Sequence, residues 1–388
     1  MTKLAQAKAF LAAKQQEMIA LWEDIIRIES PSQDIEAVNA VARYLTDYCN
    51  KVNLETKTYT FAHAGSSLIA STPASELPNI VLVAHMDTVQ PVGSFGTDPV
   101  AYRDGFLHGP GAYDCKGGIV IALFVIQALA SIGYDKRQLK LILSGDEEVA
   151  HQLSQGQGAE VFDLETAFTA AAFTCESARL SGDVITKRKG GAFYRFGIRG
   201  ISAHAGNDPL GGASAIKEAA HKMIEIEKHT TPDGTTYNCG VIEGGTGTNV
   251  IPDACTFKVG VRFKTNADLE QAEQLLQAIN DQAFVDKTVS TLTKEAAFLA
   301  MEETEKTPAL FQLYHDARAE LGYHQPKPLY VGGCSDSAYL TAKGIPTLCG
   351  VGVIGTDPHS QNERALVSSL QEQALTIVKT ILAMPDDF

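Results

Sequence analysis

Positive charge is scarce in this sequence: 32 Lys and Arg stand against 46 Asp and Glu, a formal net charge of −14 over 388 residues. A surface so acidic repels a phosphate backbone, which excludes nucleic acid as a partner class. Cysteine is sparse as well. The seven present (Cys49, Cys115, Cys175, Cys239, Cys255, Cys334 and Cys349) are odd in number and never spaced as CxxC, so they suit neither a disulfide framework nor a Cys-type zinc site. Reduced thiols and a cytoplasmic setting are expected. No apolar signal-peptide core opens the chain and no uninterrupted run of ~20 apolar residues follows, so no membrane segment is expected. Tracts rich in Pro, Ser or Gln are missing, and with 45% hydrophobic residues intrinsic disorder is excluded too. What remains is a globular chain whose length, at ~100–200 residues per domain, predicts two domains.

Apolar residues at Leu11, Ile19, Leu21, Trp22, Ile25 and Ile26 have three-to-four spacing, which predicts one amphipathic helix from Leu4 to Ile28, ended by Ser30-Pro31-Ser32. A second helix is expected from about Asp34 to Cys49. The run Ile80 to Ala84 is continuous and apolar, as in a strand buried on both faces, and Leu139 to Leu143 gives another. Between them Gly117-Gly118 opens an apolar helix to about Ser131. Strands alternating with helices predict an α/β fold with a mostly parallel sheet, whose ligand sites lie beyond the carboxyl ends of the strands. Polar His85 to Thr88 and Asp146-Glu147-Glu148 both fall at such ends.

The texture changes near Thr186, where Lys187 to Gly191 interrupts the apolar pattern. An alternating strand from Ala192 to Arg199 is followed by a helix from about Gly212 to His229 and strands at Cys239 to Glu243 and Ala254 to Phe263. A helix from Asp268 to Ile279 and a strand near Thr288 to Leu292 complete a βαββαβ, ferredoxin-like order. The chain therefore divides into a catalytic α/β part over 1–186, an inserted α+β domain over 187–293, and the rest of the α/β part over 294–388.

Short acidic and histidine motifs mark the α/β part: His85-Met86-Asp87, Asp114, Asp146-Glu147-Glu148, Glu176 and His359. Folded onto one rim of the sheet, they would place two imidazoles and several carboxylates in one cleft. Left uncompensated, those carboxylates repel and raise one another's pKa. A pair of divalent cations removes the conflict. Imidazole and carboxylate donors suit Zn2+, with Co2+ or Mn2+ as substitutes. A bridging Asp would hold two ions ~3.5–4 Å apart. Asp114 is the candidate, because Gly109-Pro110-Gly111 and Gly117-Gly118 around it permit a tightly bent backbone. Adjacent side chains cannot both face one metal from a regular element, so Glu148 can ligate while Glu147 stays free as a base. Taken singly, His85 reads as a structural strand-end histidine, the Glu pair as a solvated loop and the glycines as turn punctuation. Their combination is what carries the chemical reading.

The set His85 to Val89, Gly109 to Gly118, Asp146 to Glu148, Ser202-Ala203-His204-Ala205-Gly206, Asn249-Val250-Ile251-Pro252 and His359-Ser360 resembles the di-zinc aminoacylase and carboxypeptidase family. That family includes glutamate carboxypeptidases, acetylornithine deacetylase, succinyl-diaminopimelate desuccinylase and aminotripeptidases. Asp146 to Glu148, Gly332 to Tyr339 and His359-Ser360 look closest to the glutamate carboxypeptidase branch. The resemblance implies that His85 and Glu148 bind the two metals on opposite sides, with Glu176 and His359 completing the sites and Asp114 bridging. It implies that Asp87 hydrogen-bonds the His85 ring, that the bond after Asp114 is cis, and that Glu147 shuttles the proton. His204, from the inserted domain, would serve the oxyanion, reaching the neighbouring subunit's site in a homodimer assembled through that domain.

For substrate, the resemblance implies that Asn249 and Arg262 contact a carboxylate and that the main chain around Gly333 and Cys334 supplies N–H donors. The alternative for Arg262 is a cross-strand salt bridge. The chain departs from the branch at Thr291 to Glu295, where arginines are usual, and at Cys334, which replaces a glycine. The expected substrate is a short peptide or N-acyl amino acid with a free α-carboxylate, the alternatives being a deacylase or an aminopeptidase. A non-catalytic amino-acid-binding relative would have lost a ligand or the base, and here all are kept.

Overall fold

The computed structural model describes residues 2–388 and divides into two compact units. The first comprises the chain up to Lys187 together with Glu303–Tyr330 and Ser335–Phe388; the second comprises Arg188–Glu302 and Val331–Cys334.

An eight-stranded sheet runs in the order Glu55–Tyr59, Ser67–Ser71, Arg137–Ser144, Leu77–His85, Thr169–Thr174, Thr347–Cys349, Val184–Arg188, Pro328–Val331. Its four central strands are parallel, while the pairings of Glu55–Tyr59 with Ser67–Ser71, of Ser67–Ser71 with Arg137–Ser144 and of Thr347–Cys349 with Val184–Arg188 are antiparallel. The central run explains itself residue by residue. Ile80, Leu82 and Ala84 enter the large core beneath helix Gly117–Ser131, and Val81 and Val83 face a smaller core with Val161, Phe162 and Ile345. With both faces covered, an unbroken apolar run is what the strand requires. Parallel register aligns the strand ends, pairing His85 with Ser144 and Val83 with Thr174. The polar segments that follow therefore emerge on one rim.

Helix Gly117–Ser131 is buried along nearly its whole length. The stretch Ala112–Ser131 is long and apolar enough to cross a membrane by composition alone, yet most of it lies inside the first unit. Its close seat needs Gly118, where a Cβ would stand 1.9 Å from the Cys175 carbonyl oxygen.

The expected first helix is two, Lys3–Ala13 and Gln15–Arg27, separated at Lys14 (φ −95°, ψ 5°). Buried Ala7, Leu11, Met18, Trp22 and Ile25 keep their spacing across the break, so periodicity alone does not reveal it.

In the second unit four antiparallel strands take the order Thr236–Gly244, Ala254–Phe263, Gly190–Arg199, Val289–Phe298, with helices Ala215–Glu227 and Asn266–Asp281. Phe196 and Phe257 stack at 4.6 Å in its core. The unit extends to Glu302, beyond the boundary at 293 drawn from sequence. A register shift between Lys294 and Ala296 breaks the alternation of its last strand, hiding the part that runs on to Phe298.

Candidate metal centre and active site

His85 closes its strand with Nδ1 2.9 Å from the main-chain oxygen of Asp87, so Nδ1 carries the proton and Nε2 is left as a donor atom. That Nε2 lies 3.2 Å from Asp114 Oδ1 and 3.7 Å from Glu176 Oε1. The other oxygen of Asp114 is 3.2 Å from His359 Nε2, which is also 3.2 Å from Glu148 Oε2. Asp114 thus stands between two imidazoles, presenting one oxygen to each. The ligand atoms of His85, Asp114 and Glu148 lie within 4.8 Å of one another, and Glu148 Oε1 is buried without a hydrogen-bond partner. A mixed nitrogen and oxygen donor set with an orphaned carboxylate oxygen fits a metal ion.

The backbone at Asp114 makes this reach feasible. The Asp114–Cys115 bond is cis, and both residues leave the helical conformation. Glu363, a residue the sequence reading missed, holds the turn from below: its Oε1 accepts the main-chain N–H of Tyr113 and of Asp114, each at 2.9 Å, and its other oxygen accepts the Gln90 amide. Burial, followed by the charge of Asp114, lifts the Glu363 carboxyl to about 8 although the two N–H groups oppose the shift. In sequence it lies between Asn362 and Arg364 and reads as solvated loop. The Cys115 thiol, also unanticipated, forms a candidate donor group with His85 and Glu176 and accepts the His85 N–H at 3.3 Å. Burial pushes it up to about 12.

Asp87 orients His85 in a different way from that expected. Its carboxylate is 3.5 Å from His85 Nδ1, farther than its own main-chain oxygen. The carboxylate instead accepts the N–H of Glu147 and of Glu148, each at 3.1 Å, and the Ser32 hydroxyl at 2.6 Å. It ties the His85 strand end to the turn that carries both glutamates. Ser32, read from sequence only as a helix stop, is part of that tie.

Glu147 is 7% exposed and makes its carboxyl easy to protonate. Burial raises its pKa well above the usual range, Glu176, Asp336 and Glu148 add to the rise, and His85 opposes it. For Asp114 burial also pulls upward, but hydrogen bonds from His359 and His85 and their charges hold it far below the carboxylate norm. Hydrogen bonds to Asp114 and Glu148 raise His359 to about 10.

The remaining predicted residues belong to the second unit. Ala203–His204 pairs with Val250–Ile251, which brings His204 beside the Asn249 segment. His204 is exposed, and its Nδ1 accepts the N–H of Gly206 and of Asn207, each at 3.1 Å, leaving the ring proton on Nε2 as a free donor. Asn249 is exposed, and its main-chain oxygen accepts the Ala205 N–H. Arg262 forms no ion pair among the described residues, so the cross-strand salt bridge does not occur. Its Nη1 lies 3.2 Å from Cys334 Sγ and its guanidinium 5.3 Å from the Phe193 ring centroid. Arg188 Nη1 donates to the carbonyls of Gly333 and Cys334.

The model of peptidase family M20/M25/M40 matches residues 81–383. Carboxypeptidase G2 of Pseudomonas sp. strain RS-16 is 25% identical over 380 residues, covering 92% of this chain and 88% of that protein. A succinyl-diaminopimelate desuccinylase of Corynebacterium glutamicum is 27% identical over 266 residues, covering 66% of this chain and 68% of its own. Among solved structures, aminopeptidase PepT of Bacillus cereus matches with a TM-score of 0.76 at 22% identity, covering 95% of this chain and 98% of that one. At that identity the likeness is one of fold.

Asp87→Asn turns an N–H-accepting oxygen into an amide donor facing Glu147 and Glu148. We expect a ~10–100-fold loss of metal affinity or turnover, with Ser32→Ala weaker in the same direction. Zinc titration against a chelating dye, run beside an activity assay, checks this. Wild-type values for both in Asp87→Asn would show that the carboxylate is dispensable.

Proposed function

The chain belongs to peptidase family M20/M25/M40, and on that premise we propose that it hydrolyses the amide bond adjoining a free α-carboxylate in a short peptide or N-acyl amino acid. The observation that carries this reading is the position of Asp114, one oxygen toward each imidazole, beside the orphaned oxygen of Glu148. Two divalent ions, zinc by donor type, would be held by His85, Glu176 and Asp114 on one side and by Glu148, His359 and Asp114 on the other. When bound, they supply Lewis acidity that acidifies water and polarises a carbonyl.

The protein's own groups do the rest. Glu147, kept free by Asp87, takes a proton from the attacking water and returns it to the leaving amine. The Nε2–H of His204 serves as the donor to the oxyanion. Arg262, which has no carboxylate partner among the described residues, binds the substrate's carboxylate as a bidentate fork beside Asn249, with Cys334 and its main-chain N–H lining the same place. Lys294, near the point where the branch carries arginines, is tied to Glu273 at 2.7 Å. With Lys294 so engaged, the reading extends to substrates without a C-terminal glutamate. The relatives include a carboxypeptidase and desuccinylases by name, so N-acyl amino acids stand beside dipeptides as substrates.

We also propose a homodimer formed through the second unit. Its edge strand Thr236–Gly244 leaves Val241 and Ile242 48% exposed, and helix Ala215–Glu227 leaves Ile224 61% exposed. An unpaired apolar edge is a liability unless covered. No disulfide joins the seven cysteines among the described residues, which fits a reducing, cytoplasmic setting.

Chelation should abolish amidase activity, and zinc, cobalt or manganese should restore it. Glu147→Gln should retain the metals while kcat falls by ~10²–10⁴; loss of metal with turnover retained would exchange the roles of the two glutamates. Arg262→Ala should cost ~2–5 kcal/mol in kcat/KM, and C-terminally amidated substrates should fail with the wild type. Equal rates on free and amidated substrates would remove the carboxylate anchor, and a need for a free amino terminus would make the enzyme an aminopeptidase. Light scattering should report a dimer; a fully active monomer at nanomolar concentration would refute both the dimer and a His204 acting across it.

A further inference from the structure

A second polar cluster lies behind the glutamate turn. His151 is 1% exposed, with Nδ1 2.9 Å from Asp146 Oδ1 and Nε2 2.7 Å from Asp336 Oδ1. Facing a carboxylate at each nitrogen, the ring holds both protons. Burial favours the neutral ring, but the charges and hydrogen bonds of Asp336 and Asp146 outweigh it and raise the pKa to about 10. The outer carboxylate oxygens are also engaged: Asp146 Oδ2 accepts the Ser154 N–H at 3.0 Å, and Asp336 Oδ2 accepts the Ser144 hydroxyl. All four side chains, from Ser144, Asp146, His151 and Asp336, are buried.

The cluster is built into the turn itself. Asp146 directly precedes Glu147, the His151 N–H donates to the Asp146 carbonyl at 3.0 Å, and the Ala150 N–H donates to the Glu147 carbonyl at 2.8 Å. Ala150 and His151 are left-handed, at φ 56° and 54°. Residues with a Cβ avoid that region, so consecutive ones persist only where surrounding contacts over-determine them. Helix Gln157–Glu165 yields space to the cluster: a Cβ at Gly158 would stand 2.4 Å from His151 Nδ1 and 2.7 Å from Asp146 Oδ1, although alanine is the better helix former. Buried ion pairs are poor sources of stability compared with apolar packing, and their better-attested use is to fix one arrangement among several.

We infer that Asp146, His151 and Asp336 are positioning residues for the general base. They hold the turn from behind while Asp87 holds the N–H groups of Glu147 and Glu148 in front, so that the Glu147 side chain is kept apart from Glu148. This rests on Glu147 being the base. None of the three side chains belongs to the candidate donor groups around His85. Their effect passes through the placement of Glu147.

The test uses Asp336→Asn, which keeps the shape and an acceptor for Nε2 but removes one charge, and Gly158→Ala, which crowds the cluster without deleting a polar group. Each is assayed alone and in the Glu147→Gln background, with zinc stoichiometry and thermal unfolding measured alongside. The expected result is a fall in kcat of about 10–100-fold, the size that a misplacement of ~1 Å produces, with KM within about twofold and zinc retained. In the Glu147→Gln background neither substitution should lower kcat further. Wild-type kcat per folded, zinc-loaded enzyme, accompanied by a lower Tm, would overturn the inference and leave the cluster purely structural. So would full additivity with Glu147→Gln. If Asp336→Asn does not fold, Gly158→Ala decides alone. Retained turnover in Glu147→Gln itself would instead overturn the assignment of the base, a different outcome.

Discussion

One carboxylate reaches two imidazoles, and the polar rim of the first unit is arranged around that fact. Asp114 lies 3.2 Å from both His85 and His359, and Glu147, Glu148 and Glu176 crowd the same region. So much negative charge in a largely buried place demands cations: protons on the imidazoles, or metal ions that remove the protons by taking their place. The backbone takes an irregular turn to make that reach, and its main-chain groups are supported from beneath. Glu363 receives two consecutive N–H groups, and the helix that follows seats Gly118 against the Cys175 carbonyl.

A second constraint sets apart two adjacent glutamates, Glu147 and Glu148. Neighbouring residues on a regular strand would point to opposite faces, and on a helix they would diverge by about a third of a turn. Here neither geometry applies. A short turn after Ser144 is gripped by Asp87 through its amides and backed by His151, whose imidazole bonds the Asp146 carboxylate and whose main-chain N–H donates to the Asp146 carbonyl. The separate placement of Glu147 and Glu148 then depends on buried groups spread from Ser32 to Asp336.

Much of this was legible in the sequence where burial and periodicity coincide. The run Ile80 to Ala84 fixed a two-faced strand, helix Gly117–Ser131 was bounded at both ends, and the βαββαβ order of the second unit followed from alternation. Bulges and breaks were not legible, because Lys14 interrupts a helix without shifting its apolar phase, while the slip at Lys294 changes the phase of a strand that continues. In the site, residues beside a recognisable motif could be named, whereas Glu363 and His151 could not. Each is a charged residue in a loop, the composition of a solvated segment, and only the tertiary fold shows what buries it. The edge pairings of the large sheet were likewise hidden: a mostly parallel sheet was expected, and the antiparallel flanks come from short strands such as Glu55–Tyr59 with no continuous apolar run.

The burial of helix Gly117–Ser131 has a consequence for synthesis. Its large core also takes in Leu370, Ala374, Ile377, Val378 and Ile381 from helix Ser369–Ala383, near the far end of the chain. As the chain emerges, a segment apolar enough for a lipid bilayer must therefore wait through the making of the entire second unit before its last covering arrives. The second unit, nearly continuous in sequence, has no such delay and completes its own core first. Until the closing helix docks, the first unit presents the ribosome's surroundings with a greasy rod. The order of its elements thus leaves the face under the last helix uncovered longest.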